Sequence, residues 1–247
     1  MSKTAIILSA FGSSAAAHRR VREAILDDYQ VGFPDCAIEI FLASSRVREA
    51  ENLPDMATLL ARLSAAGCER VVVQHLLLTQ GQMFAEAQEM PSGLLCGVGA
   101  PLLSDDADME WLAQVTASQV SATVPTILAV HGNTRNPQHN AVHMAFAQRL
   151  AQHAPTVVLA SLEGEPGMGP LQAMIPAAQA AGGAHIIPLF VFPGGHVLDD
   201  LLGSDPSSWR SVLGVPCTNS PTLLEQPAVR QRFIAHTQAA FTALATE

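Results

Sequence analysis

Residues His185 to Trp209 read HIIPLFVFPGGHVLDDLLGSDPSSW. The stretch opens as an apolar run and breaks at Pro193-Gly194-Gly195. A short apolar run bounded by glycine and proline predicts a strand buried on both faces, over His185 to Phe192. His196 comes next, and then an acidic, amphipathic stretch that begins like a helix. Asp199 and Asp200 fall in its first turn, where the helix dipole favours acids. A histidine just past the carboxyl end of a buried strand occupies the position where open α/β sheets keep their ligand sites.

Working outward, the same pattern of strand, glycine-containing turn and helix occurs twice. In the first half, strands are expected at 4–11, 37–44, 71–78 and 94–103, with helices at 18–29, at 55–66 closed by Gly67, and at 105–121. After Val124-Pro125 the pattern restarts. Strands are expected at 126–130, 157–160, 185–192 and 214–217, with helices at 137–151, at 171–181 closed by Gly182-Gly183, and at 227–245. Alternating βα units predict an α/β protein with parallel sheets. The division falls at 122/123, giving halves 1–122 and 123–247, with the C-terminal helix a candidate to pack back on the first half.

The totals narrow the function. The chain has 247 residues, 49% of them hydrophobic and 14% charged, with a formal net charge of -9; it can bury a large core. Only 13 Lys and Arg are present against 22 Asp and Glu, which argues against a nucleic-acid surface. No apolar run reaches the length of a membrane span. The four cysteines, Cys36, Cys68, Cys96 and Cys217, form no CxxC pair and read as small buried hydrophobes. The N-terminal TAIILSAFG stretch is preceded by a single Lys and has a counterpart later in the chain. It is therefore expected to be a first strand and not a secretory signal, in a cytoplasmic protein. Gly167-Met168-Gly169 lacks both a dinucleotide fingerprint and a P-loop, so no nucleotide cofactor is implied. No G-x-S-x-G elbow is present.

Set side by side, the halves read as a diverged repeat. Ser9-Ala10-Phe11-Gly12 falls opposite Ala129-Val130-His131-Gly132, and the segment ending in Arg46 falls opposite the one ending in Glu163. Gly81-Gln82-Met83 falls opposite Gly194-Gly195-His196. Three strand ends thus carry Phe11, Arg46 and Met83 in the first half but His131, Glu163 and His196 in the second. Two imidazoles and a carboxylate suit a borderline divalent metal and can also accept protons. His139 and His143 share a helix face without the HExxH pattern and read as a solvated face. His18, His75, His153, His185 and His236 read as structural or exposed.

The pattern His196-x3-Asp200-x4-Asp205-x2-Ser208-Trp209 resembles the signature of the anaerobic-type sirohydrochlorin cobaltochelatases of cobalamin biosynthesis, the CbiK type. The likeness extends to Ser9-Ala10-Phe11-Gly12-Ser13-Ser14, Gly99-Ala100-Pro101-Leu102-Leu103-Ser104, His131-Gly132 and the Glu163 strand end. It implies a class II chelatase of chelatase-like fold: two pseudo-symmetric Rossmann-like halves, each a parallel four-stranded sheet flanked by helices, with a tetrapyrrole cleft between them. The implied activity is ATP-independent insertion of Co(II) into sirohydrochlorin, with His131, His196 and Glu163 as metal-binding and catalytic residues. No cofactor is implied beyond the substrate metal, with Fe(II) or Ni(II) as other candidates. The partners are sirohydrochlorin or a related anionic tetrapyrrole and the ion, and the apolar composition leaves room for a homo-oligomer. Arg19, Arg46 and Arg135 are candidates to meet the acidic substituents. One departure stands out: related chelatases carry an acidic turn in the first half where this chain has Gly81-Gln82-Met83-Phe84, with Glu86 a conceivable substitute. Alternative functions are a sirohydrochlorin ferrochelatase of siroheme synthesis, a non-catalytic metal or tetrapyrrole carrier, and a bilobed sensor for an anionic metabolite.

Overall fold

The computed structural model describes residues 3–79 and 94–244, and these form two compact units. One comprises the described residues up to Leu102 together with the C-terminal helix from Pro227; the other is Leu103–Gln226. Packing thus assigns 103–122 to the second unit, where the sequence repeat put them in the first.

The first unit is built on β1 (Lys3–Ala10), β2 (Cys36–Leu42), β3 (Cys68–His75) and β4 (Leu95–Gly99), in the order β2-β1-β3-β4. Every pairing is parallel, with Ile6 opposite Ile38 and Val72. Ala5, Ile6, Ile7 and Leu8 are fully buried. Consecutive buried residues point to opposite faces of a strand, so this sheet is covered on both sides, as its unbroken apolar run requires. The covering helices are α1 (Ala16–Gly32), the short α2 (Ser45–Glu51) that the sequence pattern did not reveal, α3 (Met56–Ala65) and, from the far end of the chain, α8 (Pro227–Leu244). Asp55 caps α3 by accepting from Thr58 N at 2.8 Å, and Gly67 takes the left-handed conformation just past its end.

A buried polar relay holds α8 in place. The Tyr29 hydroxyl lies 2.8 Å from Thr237 Oγ1, which lies 3.0 Å from Gln74 Oε1 on β3. The Gln74 amide donates to the carbonyls of Ala100 and His75 at 2.8 and 3.0 Å. Tyr29, Gln74 and Thr237 are each fully buried, so every member needs its partner. An Arg230–Asp28 ion pair at 2.6 Å and the Phe33–Phe241 ring contact at 5.7 Å reinforce the seam.

The second unit repeats the plan with β5 (Thr126–Val130), β6 (Val158–Ser161), β7 (Ala184–Pro188) and β8 (Cys217–Asn219), all parallel, in the order β6-β5-β7-β8. Its helices are α4 (Asp106–Ala117), α5 (Asn140–Ala151), α6 (Gly169–Ala181) and α7 (Trp209–Leu213). The apolar run read as one strand to Phe192 leaves β7 after Pro188, although Leu189 N still donates to Ala129 O at 2.8 Å. The expected strand at 214–217 is shifted to 217–219, and the one at 94–103 shortens to 95–99. Val197, Leu201, Trp209 and Leu213 join Ile127, Ala160 and Ile186 in one core cluster. Among the described residues no helix is long and apolar enough to cross a membrane.

Register fixes how the two sheets correspond. Leu42 pairs with Ala10 and Ser161 with Val130, while Ser44 N donates to Phe11 O and Glu163 N to His131 O. The counterpart of Glu163 is therefore Ser44, which accepts from Val47 N as the N-cap of α2, and not Arg46 two residues later. The side-by-side pairing slips by two because β strands look alike at that period. Gly81, Gln82, Met83, Phe84 and Glu86 lie outside the described residues.

Candidate active site

His131 is the first residue after β5, the strand at the centre of the second sheet. Its position is set by the next residue along: Gly132 adopts φ +75°, where a Cβ would lie 1.8 Å from the carbonyl oxygen of Glu163. Only glycine lets the turn after β5 lie against the turn after β6. Glu163 N donates to His131 O at 2.7 Å and extends the β5–β6 ladder past its last side-chain pair. Gly164 is equally constrained, since a Cβ there would meet Asn133 O at 2.7 Å. Gly12 repeats the device after β1, with φ +95°.

His196 arrives by a different route. It opens a π-helical turn, His196–Leu201, in which Leu202 N bonds back to Val197 O at 3.1 Å. The ordinary helix expected here is replaced by this wider turn, a form that recurs at functional sites. Val197 and Leu201 bury their side chains, while His196 and Asp200 remain about half exposed. The turn then closes at Gly203, where a Cβ would come within 2.3 Å of Asp199 O.

The two imidazoles meet edge to face, with ring centroids 4.5 Å apart and planes at 77°. Each has its Nδ1 engaged: His131 with Gly132 O at 2.7 Å, and His196 with Asp200 Oδ2 at 2.7 Å. A carbonyl or carboxylate oxygen can only accept, so both Nδ1 atoms carry the proton. With the proton on Nδ1, the lone pair of a neutral imidazole lies on Nε2, where it can meet a metal or a proton.

Glu163 is exposed, and its Oε2 accepts from Thr134 Oγ1 at 3.2 Å. It adjoins His131 through the backbone. Among the described residues, no three His, Cys, Asp or Glu side chains stand close enough together to hold an ion. The structure thus brings two of the three expected residues into contact and joins the third to His131 through the backbone only.

Sequence reasoning misjudged two neighbours. Asp200, read as a helix-dipole acid, is the hydrogen-bond partner of His196; the signal was the i, i+4 spacing. His143, read as part of a solvated face, has its Nδ1 buried without a hydrogen-bond partner. Its pKa is lowered, chiefly by burial and then by the nearby rings of His131 and His139. Of the remaining histidines His139 is partly exposed and five are structural: His18 and His75 are buried, His185 bridges the Thr218 and Ser220 hydroxyls at 2.8 and 2.9 Å, His153 pairs with Glu110, and His236 lies 3.1 Å from Ala100 O.

The rest of the His196–Trp209 signature proves to be scaffold. Asp205 accepts from Ser207 N and Oγ at 2.8 and 2.6 Å. Ser208 caps α7 and donates to Gly203 O at 2.8 Å, and Trp209 is fully buried in the core. Arg19, Arg46 and Arg135 are exposed.

Comparison with known proteins bears on the family and the fold. The chain is 28% identical over 209 residues to the sirohydrochlorin cobaltochelatase of Salmonella typhimurium, covering 77% of this chain and 76% of that one. It is 28% identical over 231 residues to sirohydrochlorin cobaltochelatase CbiKC of Nitratidesulfovibrio vulgaris, covering 86% and 80%. The fold matches SirB from Bacillus subtilis, solved with Fe3+, at a TM-score of 0.67 with 14% identity over 96% and 95% of the two chains. It also matches CbiX, described as the terminal enzyme for biosynthesis of siroheme in denitrifying bacteria, at a TM-score of 0.60 with 16% identity over 96% and 99%. The family model of the cobalt chelatase CbiK spans residues 4–242, both sheets and the paired histidines included, and the chain belongs to that family.

Proposed function

We propose that this protein inserts Co(II) into sirohydrochlorin without ATP. The observation that carries the reading is the pair of imidazoles, His131 and His196, in edge-to-face contact with both Nε2 lone pairs available, in a member of the cobalt chelatase family. Cobalt as the ion and sirohydrochlorin as the ring are supported by the names of both curated relatives.

Insertion requires removing water from the ion, turning the pyrrole nitrogens toward it and taking up two N–H protons. Neutral imidazole binds first-row divalent ions well and exchanges protons near neutrality. His131 and His196 hold the partly dehydrated ion. The Glu163 carboxylate lowers the cost of its charge and accepts one pyrrole proton, and an imidazole freed as the ion enters the ring accepts the other. Arg135, in the loop that leaves His131, meets an acidic substituent of the ring. Imidazole and carboxylate also accept Fe(II) and Ni(II).

The decisive experiment monitors sirohydrochlorin absorbance on addition of Co(II), Fe(II) or Ni(II). Repeated turnover, fastest with Co(II), is the expected result. A single stoichiometric uptake would make the protein a carrier, and fastest turnover with Fe(II) would make it a ferrochelatase.

A further inference from the structure

Of the two site histidines, only His196 is backed by a carboxylate. His131 Nδ1 donates to the neutral backbone oxygen of its own neighbour, Gly132, and is fixed by a glycine that cannot be replaced without collision. His196 lacks that anchorage. It is the first residue of a π-helical turn, with its side chain 55% exposed, and its ring is tied to Asp200 Oδ2 at 2.7 Å. An imidazole on an exposed turn would otherwise rotate about χ1 and χ2 and, in water, exchange its proton between the two ring nitrogens.

We infer that Asp200 is a positioning residue for metal insertion: its carboxylate holds the His196 ring in one orientation and one tautomer, with Nε2 directed away from the turn. The inference rests on the reading of His196 as part of the insertion site. Three features support it. Asp200 lies on the same turn as its partner, so the pair needs no distant element to form. The turn itself is anchored, with Val197 and Leu201 buried in the core on its other side, so the carboxylate is held against a fixed frame. Asp200 makes no capping bond that would explain an acid here, whereas the acids at Asp55 and Asp105 each accept from a backbone N–H three residues on. A carboxylate on the distal nitrogen of a ligating imidazole is a general means of fixing its orientation and raising its basicity. Its removal typically costs 10- to 100-fold in metal affinity or activity.

The test uses the full chain with Asp200→Ala and Asp200→Asn. Asp200 is half exposed, so neither substitution disturbs the core. With Co(II) and sirohydrochlorin, Asp200→Ala should lower kcat roughly 10- to 100-fold with KM for the tetrapyrrole unchanged. Asp200→Asn, whose amide oxygen still accepts from Nδ1, should recover at least several-fold of that loss. Independently of turnover, 15N-detected imidazole spectra of the metal-free protein should show His196 protonated on Nδ1 in the wild type and shifted toward the Nε2-protonated form in Asp200→Ala. Wild-type kcat in Asp200→Ala, or an unchanged His196 tautomer, would overturn the inference. Wild-type insertion by His196→Ala would instead overturn the site reading on which it rests, so the two failures are distinguishable.

Discussion

Gly132 and Glu163 press together backbone to backbone: a methyl group added at Gly132 would stand 1.8 Å from the Glu163 carbonyl oxygen. This contact sets the spacing between the turns that carry His131 and Glu163, and neither partner atom can rotate aside. Gly132→Ala should therefore cost more than about 2 kcal/mol, the left-handed penalty plus a collision. Gly182→Ala has φ +70° but nothing within 4 Å, and should cost only about 1–2 kcal/mol. Urea midpoints of the two variants check the difference; equal losses would mean the collision is relieved.

The Tyr29–Thr237–Gln74 relay is a second point of vulnerability. Thr237→Val keeps the side-chain shape but deprives the Gln74 carbonyl and the Tyr29 hydroxyl of a buried partner. A loss of about 1–3 kcal/mol for such a group is expected, with Thr237→Ser much milder. Denaturant unfolding measures both.

Stability should fall as pH drops from 6.5 toward 4. Burial lowers the pKa of His18 and of His75 to about 4, with Arg22 adding to the effect at His18 and Glu51 opposing it. Above pH 6.5 both rings are neutral in the folded and unfolded chain, and they contribute no pH dependence. Below it the unfolded chain takes up protons that the folded chain refuses until about pH 4. Each histidine thus withdraws stability across that window, on the order of 3 kcal/mol by its lower end. Urea midpoints at pH 7.5 and 5.0 would show the decline, and His75→Gln should make it shallower.

If the paired imidazoles carry the chemistry, His131→Ala and His196→Ala should each remain folded and lose roughly 10²- to 10⁴-fold in metal insertion. His153→Ala, at a surface pair with Glu110, should leave insertion unchanged. Wild-type rates in both site variants would place the reaction elsewhere on the molecule.

Much of the fold and of the site is legible in the residues because the relevant signals are local. Apolar runs such as AIIL at 5–8 and VVV at 71–73 mark the strands, and Gly12 and Gly132 mark tight turns after the central strands. The candidacy of His131 and His196 comes from their expected strand-end positions, from comparison of the two halves and from the family resemblance. The features that escape the sequence depend on register and on turn geometry. A two-residue slip in aligning β2 with β6 leaves the hydrophobic pattern intact, so Arg46 stands in for Ser44. A π-helical turn and an α-helical turn share nearly the same polar pattern, so Asp200 passes for an acid placed by the helix dipole. His143 passes for a solvated residue, because nothing in its spacing shows that its Nδ1 is buried.

The sequence by itself determined two parallel α/β sheets and marked His131 and His196 as candidates, because apolar periodicity and glycine turns act over a few residues. Only the tertiary structure decided that α8 belongs with the first sheet and that His131 and His196 touch. It also decided that each has its Nδ1 bound to an oxygen, and that Asp200 is the partner of His196. Those outcomes rest on contacts between residues from 4 to more than 200 positions apart, such as His196 with Asp200 and Tyr29 with Thr237. Hydrogen bonds of that kind form only once packing has brought their partners within about 3 Å.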